Sequence, residues 1–156
     1  MRRGEPAILR AGPRPTPDRI IDPMQGLHLT ADLRGCAAGR PEMTETASLR
    51  RCCLAAVARA GLTPVGELFH RFVPAAAPGA APSGITGVVL LAESHLAVHT
   101  WPELEAATLD VYVCNLGADN SARAQVLMDT LLAAFAPARV ERHAIERGSE
   151  CAAAAR

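Results

Sequence analysis

Three apolar stretches lie close together between residues 84 and 115, and the short connections between them limit the folds open to this chain. Residues 87–91 are too few for a helix and rich in β-branched side chains, so they predict a buried strand. Residues 95–101 alternate between two faces, and residues 108–114 form a third strand-like stretch. Because parallel neighbours need a crossover of roughly a dozen residues or more, these short connections predict antiparallel pairing.

The flanking sequence adds three strands and two helices. Strands are predicted at residues 26–33, 65–73 and 138–145. One helix is predicted from a cap at residues 44–46 to Gly61, and another from a Ser121 cap to Pro137. The predicted fold class is a two-layer α/β sandwich that dimerises, with one mainly antiparallel sheet and two helices on one face. The predicted inward helix faces are Leu49, Cys53, Ala56, Val57 and Ala60, and then Leu127, Leu131, Ala134 and Phe135.

Composition bounds the class of protein and its partners. The 156 residues are 49% hydrophobic with a formal net charge of zero, which suits one modest core. We expect no nucleic-acid or membrane partner, because the chain lacks a basic excess, a long apolar run and a leader. The five cysteines are an odd number and form no CxxC motif, which predicts free thiols in a reducing cytoplasm.

The chain divides into one domain with two flanking segments. Residues 1–24 are rich in Pro and Arg and are predicted to be a disordered extension. Residues 25–148 are the predicted domain, interrupted by a linker of Ala, Pro and Gly at residues 74–82. Residues 149–156 are a tail.

Reactive side chains are dense in the central stretch. Ser94 lies between two predicted strands, Glu93 precedes it, and Cys114 ends the third strand. His95 and His99 would lie about 13 Å apart on a strand, too far to share one ion, so no metal site is predicted. The chain contains no lysine, so the Schiff-base lysine that anchors pyridoxal phosphate is absent. A carbonyl group built into the chain itself is one remaining way to form a Schiff base with an amine substrate.

The order and spacing of these residues resemble one family. Glu93-Ser94-His95, followed by HTWPE at residues 99–103 and by Cys114, closely resembles the S-adenosylmethionine decarboxylase proenzymes of bacteria and archaea, over about residues 26–148. The resemblance implies self-cleavage between Glu93 and Ser94, in which the Ser94 hydroxyl attacks the Glu93 carbonyl to form an ester. β-Elimination then leaves a pyruvoyl group on the new N-terminus, and this group forms a Schiff base with a small-molecule substrate.

The resemblance also implies roles for individual residues. Ser94 supplies the pyruvoyl group, and His99 is the base of the elimination. Cys114 is the acid that returns a proton to the substrate carbon, which suits a thiol because thiols are mostly protonated at neutral pH. Glu103 binds the ribose hydroxyls, and Phe72 is one of the aromatic side chains that stack on adenine.

Two positions depart from the family's pattern. Thr86 stands where many relatives have Ser, but it keeps a hydroxyl that can support maturation. Asn115 replaces the Gly that usually follows the cysteine, which matters if that position requires a positive φ. In the family the active sites lie between two protomers of a dimer, and we expect Cys114 and Glu103 of one site to come from different chains.

The implied activity is decarboxylation of S-adenosylmethionine to S-adenosylmethioninamine, the aminopropyl donor for spermidine biosynthesis. Two alternatives stay open. One is a pyruvoyl-dependent arginine or ornithine decarboxylase of the same fold family, which the linker at residues 74–82 makes credible. The other is a regulatory relative that dimerises without maturing, although the intact Ser94, His99 and Cys114 argue against it.

Overall fold

A computed structural model of the chain describes residues 25–73, 83–115 and 117–148. The predicted disordered extension, the linker at residues 74–82, the tail and Cys151 lie outside these residues.

Six strands, three α-helices and one 3-10 helix make up the described chain. In chain order they are β1 (Gly26–Arg34), α1 (Pro41–Thr44), α2 (Thr46–Arg59), β2 (Pro64–Arg71), β3 (Ile85–Leu91), β4 (Ser94–Trp101), the 3-10 helix (Pro102–Leu104), β5 (Ala106–Cys114), α3 (Ser121–Phe135) and β6 (Arg139–Arg147).

The six strands form one sheet in the order β2-β3-β4-β5-β1-β6, and every neighbouring pair is antiparallel. The prediction of antiparallel pairing is therefore confirmed. The connection between β3 and β4 is only Ala92 and Glu93, and Leu91 pairs directly with Ser94. Such a two-residue connection fixes the register of both strands.

The helices cover one face of the sheet, which confirms the predicted two-layer α/β fold. Residues of β4 alternate, so that Leu96, Val98 and Thr100 are buried beneath the helix layer while the residues between them are not. The predicted inward residues of α2 are all buried, and so are those of α3 except Ala134, which is half-buried. In the described ranges, no helix is long and apolar enough to span a membrane.

The opposite side of the sheet carries no helix among the described residues, and we call it the open face. Its exposed apolar side chains are Leu68, Leu90, Trp101 and Ile145, one each from four different strands. Its polar side chains include His28, Thr86, His95, His99, Thr108, Asp110, Tyr112, Cys114, Asp32, Glu141 and Arg147.

Local chemistry at the helix ends partly matches the predictions. Gly61, at φ 69°, follows α2, and the amide of Leu62 donates to the carbonyl of Val57, a Schellman arrangement that only a left-handed residue permits. The N-cap of α2 is Glu45, within the predicted residues 44–46, whereas α3 has Asn120 rather than the predicted Ser121 at its N-cap, and neither residue makes a side-chain cap hydrogen bond. The short helix α1 was not predicted; Pro41 begins it, at a position where a missing N–H does no harm.

Candidate active site

The turn between β3 and β4 holds the predicted cleavage junction. The Glu93 carbonyl accepts a hydrogen bond of 2.8 Å from the backbone N–H of Cys114, at the end of β5. The Glu93 carboxylate accepts another, of 3.1 Å, from the backbone N–H of Thr63, and the residue is only 7% exposed. Ser94 has φ 151°, a backbone conformation that L side chains rarely adopt and that is typical of functional sites. The junction is therefore strained, buried and hydrogen-bonded.

Cys114 lies beside this junction with a free, half-buried thiol on the open face. It pairs with Gly26 of β1, where an added Cβ would lie 2.2 Å from the Val113 carbonyl oxygen. Only glycine fits so close an approach. Glu93, Ser94 and Cys114 together form what we call the turn cluster.

His99 and Thr86 meet near the other end of the same sheet. The Thr86 hydroxyl and His99 Nδ1 lie 2.9 Å apart, within hydrogen-bond distance, and the Trp101 ring lies 6.0 Å from the imidazole between centroids. A shallow depression of about 150 Å³ opens beside them, lined in part by Leu68 and His70. We call Thr86 and His99, with Phe72 and Glu103, the histidine cluster.

Phe72 and Glu103 lie at the margin of that cluster. Phe72 falls within the strand predicted at residues 65–73, but β2 ends at Arg71 and Phe72 follows it, half exposed. Its N–H donates to the Gly84 carbonyl, and its ring meets His70 edge-on at 5.6 Å. Glu103 is exposed on the 3-10 helix that follows β4. Both side chains are thus available to a ligand.

The two clusters do not meet within one chain. Ser94 and His99 are five residues apart on β4, or about 16 Å at the rise of an extended strand. Cys114 and Glu103 are farther apart, because β5 alone spans about 26 Å from Ala106 to Cys114. The structure brings the Glu93 carbonyl to the Cys114 N–H, and Thr86 to His99, but leaves these pairs separate.

A polar network that sequence analysis did not single out lies between them on the open face. His28 Nε2 is 2.9 Å from one oxygen of Asp110, and His95 Nε2 is 3.4 Å from the other. The Tyr112 ring contacts both imidazoles, and the Arg147 guanidinium lies 5.2 Å from its centroid. No spacing rule links these residues, because they come from four strands.

The other described cysteines have a different environment from Cys114. Desolvation by burial raises the pKa of the thiols of Cys36, Cys52 and Cys53, which lie in or beside the helix layer. They are structural and remain protonated at neutral pH. Among the described residues, no group of three or more His, Cys, Asp or Glu side chains could hold a metal ion.

Position 115, the other departure noted in the sequence, does not require glycine. Asn115 is not among the described residues with positive φ, and its amide donates to the Gln25 carbonyl at 2.8 Å. Its side-chain oxygen accepts from the backbone N–H of Asn120 at 3.3 Å. Asn120 was not singled out from the sequence either, although it is fully buried and donates to the Cys114 carbonyl at 2.8 Å.

Comparison with known proteins shows a consistent set of relatives. A family model described as S-adenosylmethionine decarboxylase matches residues 27–148. The S-adenosylmethionine decarboxylase proenzyme of Aquifex aeolicus is 38% identical over 123 residues, covering 79% of this chain and 81% of that protein. The proenzyme of Persephonella marina is 37% identical, with 80% of this chain and 83% of that protein covered. The crystal structure of the A. aeolicus adenosylmethionine decarboxylase has a TM-score of 0.68 and 36% identity, covering 82% of this chain and 94% of that one.

Proposed function

The chain belongs to the S-adenosylmethionine decarboxylase family, and from this premise we propose that it decarboxylates S-adenosylmethionine with a pyruvoyl group made from its own Ser94. The product is S-adenosylmethioninamine, the aminopropyl donor for spermidine. The four described cysteines are free thiols, which supports a reducing, cytoplasmic setting. The observation that carries the proposal is the hydrogen bond from the Cys114 N–H to the Glu93 carbonyl.

That hydrogen bond suits the first step of maturation. When the Ser94 hydroxyl attacks the Glu93 carbonyl carbon, the carbonyl oxygen gains negative charge, and the Cys114 N–H is already directed at it. The C–N bond then breaks, the amine takes up a proton, and an ester joins the two segments. The strained φ of Ser94 favours this rearrangement because breaking the peptide bond releases the strain.

The second step needs a base, and His99 with Thr86 supplies one. When Nδ1–H donates to the Thr86 oxygen, Nε2 is free to take the α-proton of residue 94. Loss of that proton expels the Glu93 carboxylate as the leaving group. Addition of water and release of ammonia then leave the pyruvoyl group at the start of β4.

The residues present fit that group, because the cut falls in a two-residue turn and leaves the new N-terminus beside Cys114. The chemistry that such a group would supply is an electron sink for the loss of carbon dioxide from the substrate. Cys114 holds the proton that is returned to the substrate carbon. Phe72 offers an exposed ring for adenine, and Glu103 offers a carboxylate for the ribose hydroxyls.

A second copy of the chain completes the site. His99 cannot reach Ser94 of its own chain across about 16 Å. If two open faces pack about a twofold axis that crosses the strands, the turn cluster of each protomer faces the histidine cluster of the other. One such contact creates two equivalent sites, each with Cys114 from one protomer and Glu103 from its partner.

Two further features support this dimer. The depression beside His99 is about 150 Å³, whereas pockets for ligands of this size are roughly 300 to 1,000 Å³. A facing sheet would enclose it. Leu68 and Leu90 are 69% and 49% exposed on the open face, and a partner would remove them from water.

Maturation tests the proposal directly. Purified protein should consist of two chains, residues 1–93 and 94–156, and the second should be blocked to N-terminal sequencing because its amine is gone. Ser94→Ala should remain one chain. Incubation of the cleaved protein with S-adenosylmethionine, arginine or ornithine should release carbon dioxide only from the first. An uncut wild-type chain would refute the proposed maturation.

Subunit exchange tests the shared site. Cys114→Ala and Glu103→Ala protomers should each form inactive dimers, and the mixed dimer should regain activity at the one site where both residues are intact. Mass-tagged protomers verify the exchange. Verified exchange without recovered activity would place both residues in the same half of the site.

A further inference from the structure

Asn120 is a fully buried polar residue for which the proposed function has no role. It precedes α3, yet its side chain makes no cap hydrogen bond to that helix. Instead Nδ2 donates to the Cys114 carbonyl at 2.8 Å, and Oδ1 accepts from Arg123 at 3.1 Å. A buried amide engaged at both ends holds a fixed orientation.

The main chain of Cys114 is hydrogen-bonded both to this amide and to the cleavage junction. The Cys114 N–H donates to the Glu93 carbonyl, and the Cys114 carbonyl accepts from Asn120. Cys114 is also the last residue of β5, where the sheet hydrogen bonds of this strand end. The N–H that donates to the junction therefore belongs to the last residue of the strand, and the hydrogen bond from the Asn120 amide restrains that residue.

We propose that Asn120 is a positioning residue for self-cleavage, which holds the Cys114 main chain so that its N–H remains directed at the Glu93 carbonyl. The inference rests on the proposed function. Asn120 touches none of the reacting atoms and acts through Cys114. Its own backbone is held by Asn115, whose side-chain oxygen accepts the Asn120 N–H at 3.3 Å. Asn115, which stands where the family usually has Gly, thus belongs to the same set of hydrogen bonds.

Asn120→Asp is the most specific test, because it keeps the size and the acceptor for Arg123 but removes the Nδ2 donor. Cleavage is followed after cell-free synthesis as the rate at which the two fragments appear. We expect Asn120→Asp to slow cleavage at least tenfold at neutral pH. Removing an oxyanion donor outright slows enzymes by about 10²- to 10³-fold, and here the donor is only displaced.

The pH profile separates positioning from a merely structural role. Burial raises the pKa of the introduced Asp, whereas the Arg123 guanidinium at Oδ1 lowers it, so this carboxyl should gain its proton in the acidic part of the profile. The protonated group has an O–H that can donate to Cys114. The ratio of variant to wild-type cleavage rates should therefore rise as pH falls. Asn120→Ala, which has no titrating donor, should be slow at every pH.

Ser48→Ala is the matched control, since Ser48 is also a buried polar residue at a helix start, but it bonds Glu45 on α2. It should lose stability without slowing cleavage. In uncut Ser94→Ala protein, Asn120→Ala should lower the hydrogen-exchange protection of the Cys114 amide selectively, a readout that needs no cleavage. The inference is overturned if both Asn120 variants cleave at the wild-type rate. It is also overturned if the cleavage rates of all variants, including Ser48→Ala, fall only in proportion to their loss of stability. Failure of wild-type protein to cleave would instead overturn the proposed function.

Discussion

The strained backbone at Ser94 makes a quantitative prediction about the uncut chain. Ser94→Ala and Ser94→Gly both lack the hydroxyl, so neither can cleave, and they differ only by a methyl group. Alanine must keep φ 151° against the preference of an L side chain, whereas glycine adopts it freely. The glycine variant should therefore be the more stable of the two.

The size of the difference follows from two opposing terms. Relief of the strained φ is worth about 1 to 3 kcal/mol, and the extra backbone entropy of glycine costs about 0.5 to 1 kcal/mol. The net gain in the free energy of unfolding is then about 0 to 2.5 kcal/mol in favour of Ser94→Gly. For a domain of this size that corresponds to a rise in Tm of up to roughly 10 °C.

Urea and thermal unfolding at one fixed protein concentration would measure the difference, because association also changes apparent stability. Ala97→Gly in the Ser94→Ala background is the control, since Ala97 lies on the same strand without a positive φ. That change should destabilise the protein by about 0.5 to 1 kcal/mol. If Ser94→Gly were less stable than Ser94→Ala by the same amount, the junction would store no strain.

Three other predictions concern single side chains. Thr86→Val should slow self-cleavage roughly 2- to 12-fold, by loss of a hydrogen bond to His99 worth about 0.5 to 1.5 kcal/mol, and Thr86→Ser should cleave normally. Phe72→Ala should raise the KM for S-adenosylmethionine and the Kd of adenosine analogues in parallel by several-fold, as about 0.5 to 1.5 kcal/mol of stacking is lost, with unchanged cleavage. Iodoacetamide at pH 7.5, followed by mass spectrometry, should alkylate Cys114 first among the four described cysteines, because a raised pKa lowers the thiolate fraction of Cys36, Cys52 and Cys53.

The sheet was predictable because its signals are local. Alternation within residues 95–101 predicted that His95, Ala97 and His99 share one face of the strand, and the structure confirms this. The short turn after β3 implied antiparallel pairing. Strand ends were predicted less well, and β6 runs from Arg139 to Arg147 rather than over residues 138–145, because cross-strand partners on β1 extend it.

The contacts that prepare the junction were not predictable, because no helix or strand period relates their partners. Cys114 and Glu93 meet only when β5 pairs with β4, and the Asn120 side chain, six residues after Cys114, bonds the carbonyl at a strand end. No periodicity encodes either bond. The Ser121 cap was wrong by one residue: Asn120 occupies the N-cap position of α3, and its side chain bonds Cys114 and Arg123 rather than the helix backbone.

In the proposed dimer, the division of the site between two chains gives maturation an order. One protomer by itself supplies the strain at Ser94 and the Cys114 N–H at the Glu93 carbonyl, which are the requirements of the proposed first step. His99, the proposed base of the second step, lies about 16 Å from its own Ser94, so in that dimer it would reach only the partner's junction. On this proposal the elimination follows association, so that each reactive carbonyl forms inside a site that the partner covers.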